Sequence, residues 1–82
     1  MLTLYLTAPD TNSEQTHLRA VQLPAAHGAW GIRPGHAEAF VTLTHGTIAT
    51  THADGTQSIT TIPGGTCHIA DNVVTVILHA QK

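Results

Sequence analysis

The 82-residue chain holds a single cysteine, one residue each of tryptophan, tyrosine and phenylalanine, three Lys/Arg and five Asp/Glu. With Cys67 alone, no intrachain disulfide can form and nothing demands an oxidising compartment. Its apolar setting beside Ile69 reads as an inert core thiol. Charged residues make up 10% of the chain, against about 25% in an average soluble domain, so threonine, histidine and glutamine must carry most of the solvation. That composition fits a neutral threonine-rich β-domain or a subunit whose surface is covered in places by partners. The net charge is -2 and there is no run of Lys or Arg, which leaves a nucleic-acid partner without an electrostatic footprint. The longest apolar stretch, Val73 to Leu78, is interrupted by Thr75 and falls far short of the roughly 20 residues a spanning helix needs. Direct membrane insertion is therefore not expected. The N-terminus, Met1-Leu2-Thr3-Leu4-Tyr5, lacks the basic segment of a secretory signal. The expected location is the cytoplasm or an equivalent reducing space, with any membrane association made through other proteins.

No window of a dozen residues shows a helical stripe, and no linker, repeat or low-complexity tract divides the chain, so residues 1–82 read as one domain. What is present is two-residue alternation. Leu2, Leu4, Leu6 and Ala8 alternate with Thr3, Tyr5 and Thr7, and Pro9 to Ser13 are expected to form the following turn. Leu18, Val21 and Leu23 share a face only if an extra residue is inserted, which predicts a β-bulge near Arg19-Ala20 in a strand closed by Pro24. Ala39, Val41 and Leu43 alternate next, with room for a brief helical turn over 36–39. Asp54-Gly55 between two threonine-rich runs is the strongest hairpin signal. Gly64-Gly65 permits a sharp corner, and Asp71-Asn72 turns the chain into Val74, Val76 and Leu78. Short strands with turn residues every eight to twelve positions predict an all-β fold, a flattened antiparallel β-sandwich or barrel of short strands.

Special residues concentrate in His27-Gly28-Ala29-Trp30-Gly31-Ile32-Arg33-Pro34-Gly35-His36. Gly28 and Gly31 bracket a short strand at Ala29-Trp30, and Arg33-Pro34-Gly35-His36 reads as a type II turn with Gly35 at the position that requires positive φ. Trp30 reads equally as core filler or as an interface anchor, and Arg33 as a partner contact or a solvated turn residue.

Catalysis finds little support. His17, His27, His36, His45, His52, His68 and His79 form no HxH, HxxxH or HExxH, so local spacing places no metal ligands and no metal site is assigned. His36-Ala37-Glu38 matches the H-x-E of zinc nucleobase deaminases, but a single cysteine cannot supply the Cys-x-x-Cys that chemistry also needs. Cys67 and His68 are adjacent on a strand and point to opposite faces. No phosphate-cradling GxxxxGK[ST] occurs and the five acids are scattered, so no catalytic residue and no cofactor is assigned. A cupin-like barrel gathering histidines from separate strands around a metal, or a free-standing interaction module, remain as alternatives.

Gly28-x-x-Gly31-Ile32-x-Pro34-Gly35-His36-Ala37 resembles the signature of the epsilon subunit of the F-type rotary ATP synthase (delta in mitochondria), in its N-terminal β-sandwich domain. Leu4 to Asp10 is similar to the family's opening strand and Pro-acid turn, and Leu18-x-x-Val21-x-Leu23-Pro24 to its third strand. Ala53-Asp54-Gly55, Ile62-Pro63-Gly64-Gly65 and Asn72 to Ile77 are similar to its hairpin, its Ser-Gly-Gly element and its last strand, in order from Leu2 to Ala80. The resemblance implies a non-catalytic rotor subunit at the foot of the central stalk, peripheral on the cytoplasmic face of the bacterial inner membrane, that couples proton- or sodium-driven c-ring rotation to the gamma subunit. It implies c-ring contacts at Gly28, Ala29, Trp30, Gly31 and Arg33, and gamma contacts at His36, Ala39, Phe40, Val41 and Leu43. Acids common in the family at the positions of His27 and Ala29 are missing, Glu38 stands where proline is common, and Thr44-His45-Gly46 replaces a Pro-Gly turn. Most members continue into a helical hairpin that can inhibit ATP hydrolysis. This chain stops at Lys82, so inhibition through such an arm is not expected.

Overall fold

The computed structural model describes residues 1–79; Ala80, where the resemblance ends, and Lys82 lie outside the described residues. Eight strands follow one another: β1 (Leu2–Ala8), β2 (Thr11–Ala25), β3 (Gly28–Ile32), β4 (Ala39–Leu43), β5 (Gly46–His52), β6 (Gln57–Ile62), β7 (Gly65–Ala70) and β8 (Val73–Leu78). They form one sheet in the order β1-β8-β7-β4-β2-β5-β6, with β3 on β2 and a further β1–β2 pairing that folds the sheet back on itself as a sandwich.

The two-residue pattern sets the faces. In β1, Leu2, Leu4 and Leu6 are buried while Tyr5 and Thr7 face out. Val74 and Val76 of β8 and Cys67 and Ile69 of β7 complete that side of the core, and Leu18, Val21, Leu23, Ile32, Leu43, Ile48 and Ile62 complete the other. Each such side chain stabilises the fold by roughly 1.5–3 kcal/mol relative to exposure. Among the described residues Thr50 is the one polar side chain in this core, and its hydroxyl donates to Gln15 Oε1 at 3.0 Å. The expected bulge is present: the β2–β5 register shifts between Leu18 and Ala20, which returns Val21 to the core face.

Four expectations are corrected. The sheet is mixed, because β1 runs parallel to β8 although the other pairings are antiparallel. The turn after β1 is only Pro9-Asp10; pairing of Ala8 with Thr11 draws 11–13 into β2. Pro24 does not close β2, which continues to Ala25 with Pro24 opposite Ala29. The Pro24 carbonyl instead accepts from the Thr44 backbone N–H at 2.8 Å and from the Thr44 hydroxyl at 3.1 Å. Residues 36–38 form no helical turn.

Candidate functional site

The glycine-rich stretch is built as expected at both ends. Gly28 has φ +115° at the β2–β3 connection, and Gly35 has φ +87° with the His36 N–H donating to the Arg33 carbonyl at 3.2 Å, the closure of a type II turn. Gly31 pairs with Gln22 and does not use the left-handed region. Strand alternation assigns the rest. Trp30, opposite buried Leu23, lies on the same face as buried Ile32 and packs half-buried against the core. The ring also packs T-shaped against the His36 ring, with centroids 5.5 Å apart and planes at 77°. Trp30 therefore serves as core filler in part, since it packs against the core and also lines the surface.

That surface is an open groove of roughly 540 Å³ between the β2–β3 hairpin and β4, formed by 25–30 on one wall and Phe40, Val41 and Thr42 on the other. It lies where, among the described residues, β2 and β4 pair at Ala25 and Leu43 alone. The groove brings together Gly28, Ala29 and Trp30 with Phe40 and Val41. Arg33 and Gly31 lie outside it, beside Gln22, Ala49 and Thr51. Ala39 and Val41 are half-buried against the core, and Leu43 is 2% exposed, so Leu43 supports β4 from beneath and cannot itself touch a partner.

Phe40 is 79% exposed. Its ring stacks on His68 of β7 at 4.5 Å and 19°, and His68 Nε2 donates to Glu38 Oε2 at 2.8 Å. Alternation with Ala39, Val41 and Leu43 already marks Phe40 as outward-facing in the sequence; its pairing with His68, 28 positions on, has no local signal. Among the described residues, no three His, Cys, Asp or Glu side chains stand close enough together to hold a metal ion. Burial pushes the Cys67 thiol up to about 11, which leaves it protonated and unreactive at neutral pH. Among the described residues no helix is long and apolar enough to cross a membrane.

Residues 1–81 match the family described as the ATP synthase delta/epsilon chain β-sandwich domain. The chain belongs to this family. Over 72 residues, 88% of the chain, it is 33% identical to the ATP synthase epsilon chain of Paracoccus denitrificans. It is 31% identical over 77 residues, 93% of the chain, to that of Campylobacter hominis. The chain spans 49% and 59% of the lengths of those two relatives. Among solved structures, a chain of the Euglena gracilis mitochondrial ATP synthase (OSCP/F1/c-ring, rotational state 1) superposes with a TM-score of 0.86 at 25% identity, over 94% of this chain and 49% of that one. A chain of the Tetrahymena thermophila mitochondrial ATP synthase central stalk and c-ring has the same fold, with a TM-score of 0.77 at 12% identity, over 96% of this chain and 63% of that one.

Proposed function

We propose that this domain is a non-catalytic rotor element of an F-type ATP synthase, joining the gamma subunit to the c-ring so that ion-driven rotation of the ring is passed on as torque. In this reading it sits at the cytoplasmic face of the bacterial inner membrane, held there by protein contacts. The observation that carries the proposal is the open groove that unites Gly28, Ala29 and Trp30 with Phe40 and Val41, in a family whose solved neighbours are central-stalk and c-ring assemblies. The c-ring would meet Gly28, Ala29, Trp30, Gly31 and Arg33, and gamma would meet His36, Ala39, Phe40 and Val41, with Leu43 setting the position of β4. With neither His27 nor Ala29 acidic, contact relies on apolar area, for which burying the exposed flank of Trp30 and the ring of Phe40 contributes about 25 cal/mol per Å² before the costs of association.

The test is binding of the chain to a solubilised gamma/c-ring subcomplex, together with ATP-driven proton pumping after its addition to epsilon-depleted enzyme. The wild type should bind and restore pumping. Arg33→Ala and Phe40→Ala, both exposed and outside the core, should each weaken binding by about 1–2 kcal/mol. Ile59→Thr, exposed on β6 away from the groove, should change nothing. Wild-type chain that neither binds nor restores pumping, or site variants indistinguishable from Ile59→Thr, would refute the reading.

A further inference from the structure

The Arg33–His36 turn has a hydrogen-bonding requirement it cannot meet by itself. In a type II turn the bond runs from the fourth residue's N–H to the first residue's carbonyl, here His36 to Arg33, so the N–H of the third residue, Gly35, is left without a partner inside the turn. The acceptor comes from 37 residues away, where Asn72 Oδ1 takes the Gly35 N–H at 2.7 Å. Asn72 is fixed on its own side. It sits with Asp71 in the β7–β8 hairpin, and both have positive φ, +65° and +52°, as a type I′ turn requires at its two central positions. The Asn72 carbonyl also accepts from Thr3 N–H at 3.0 Å, at the start of β1.

One asparagine therefore links the β1–β8–β7 side of the sandwich to the glycine-rich stretch. The residue after Gly35 is His36, whose Nδ1 donates to the Ala37 carbonyl at 2.7 Å and whose ring packs T-shaped against Trp30. A continuous path runs from Asn72 through Gly35 and His36 to the groove wall. We propose that Asn72 is the positioning residue of the contact site: by accepting the Gly35 N–H it holds the Arg33–His36 turn, and through His36 the outer flank of Trp30, in the orientation a partner meets. The proposal rests on the functional reading above only in taking that turn and groove to be the contact site.

Two substitutions separate the side-chain acceptor from the backbone conformation. Asn72→Gly keeps the positive φ at no steric cost and removes Oδ1; Asn72→Asp keeps an acceptor in the same place on a residue that still tolerates positive φ. In the 82-residue chain, Asn72→Gly should leave the thermal midpoint at or above the wild-type value while Gly35 amide exchange speeds up by about tenfold, the order expected for losing one hydrogen bond. Emission from Trp30, the sole tryptophan, should shift, and affinity for the gamma/c-ring subcomplex should fall by about fivefold to tenfold. Asn72→Asp should return all three to within about twofold of wild type. Unchanged Gly35 exchange in Asn72→Gly, faster exchange with unaltered affinity, or an Asn72→Asp variant as impaired as Asn72→Gly would each overturn the proposal. A wild-type chain that fails to bind the subcomplex would instead overturn the central-stalk reading, and Gly35 exchange would still decide whether Asn72 holds the turn.

Discussion

Gly64 and Gly65 are neighbours that need to be glycine for different reasons. Gly64 has φ +117°, a conformation open mainly to glycine, and its carbonyl accepts from His79 N–H at 2.9 Å. Gly65 has an ordinary φ but no space: a Cβ there would collide with the Ile77 carbonyl oxygen and come within 3.0 Å of the Leu78 Cα, both backbone atoms of the paired strand. Gly65→Ala must therefore push β7 and β8 apart, and it should lower stability by roughly 2–4 kcal/mol in urea unfolding. Gly31→Ala is the internal contrast, since its added Cβ meets nothing within 4 Å; its unfolding midpoint should stay close to wild type. A corner at Gly64-Gly65 is legible in the sequence as two adjacent glycines. Which of them answers to backbone conformation and which to crowding is not, because the crowding atom belongs to Ile77, twelve residues on. Trp30 is similar: its flanking glycines signal special geometry, but only the Leu23 pairing and the groove shared with Phe40 and Val41 show that one ring serves core and groove together.

The β5–β6 hairpin was the clearest element in the sequence, and Asp54-Gly55 does turn it. Gly55 has φ +92°, its N–H donates to the His52 carbonyl at 2.9 Å, and His52 N–H donates to the Thr56 carbonyl at 2.8 Å. The Asp54 carboxylate accepts from the Thr56 N–H at 2.9 Å and from the Thr56 hydroxyl at 2.7 Å. The bond from the Thr56 backbone N–H, then that from its hydroxyl, holds the Asp54 carboxyl below its ordinary value of 3.8. A folded-state pKa below the unfolded one means the contribution to stability is complete above the ordinary value and disappears as pH falls through the folded one. The difference in thermal midpoint between wild type and Asp54→Ala should thus hold steady above the ordinary carboxylate range and shrink as pH falls below 3.8. Asp54→Asn, which cannot titrate, should show no such convergence onto its own high-pH behaviour; an Asp54→Ala difference that persists unchanged in acid would rule out the carboxylate as its source. The bulge at Leu18–Ala20 was readable because apolar spacing of three and then two fits no regular strand. The fifteen-residue length of β2 was not, because it is set by partners on four other strands. The brief helix at 36–39 failed because His36 Nδ1 engages the Ala37 carbonyl and the preceding turn is held from Asn72.

Closure of the whole molecule falls to β1, which pairs with β2 on one edge and runs parallel to β8 on the other. Nothing local in Leu2–Ala8 could announce the parallel partner, since parallel and antiparallel neighbours ask for the same alternation. Closure aligns residues from four strands into outward rows: Tyr5, Thr75, His68 and Phe40 in one, Thr7, Ile77, Thr66 and Thr42 in the next. No Asp, Glu, Lys or Arg occupies either row, and Phe40, Ile77 and Tyr5 are 79%, 55% and 39% exposed. Copies of such a molecule are kept apart chiefly by net charge, which is only -2 at pH 7 and vanishes near the sequence pI of 6.3. Light scattering on the isolated chain should therefore show attraction between molecules strongest near pH 6.3 and weaker at pH values about two units to either side. Phe40→Lys should shift that maximum upward, by adding a positive charge, and reduce its depth, by removing the most exposed apolar ring. An interaction that is flat across this range, or one that Phe40→Lys leaves unaltered, would mean that the uncharged rows do not govern how the free molecule meets its neighbours.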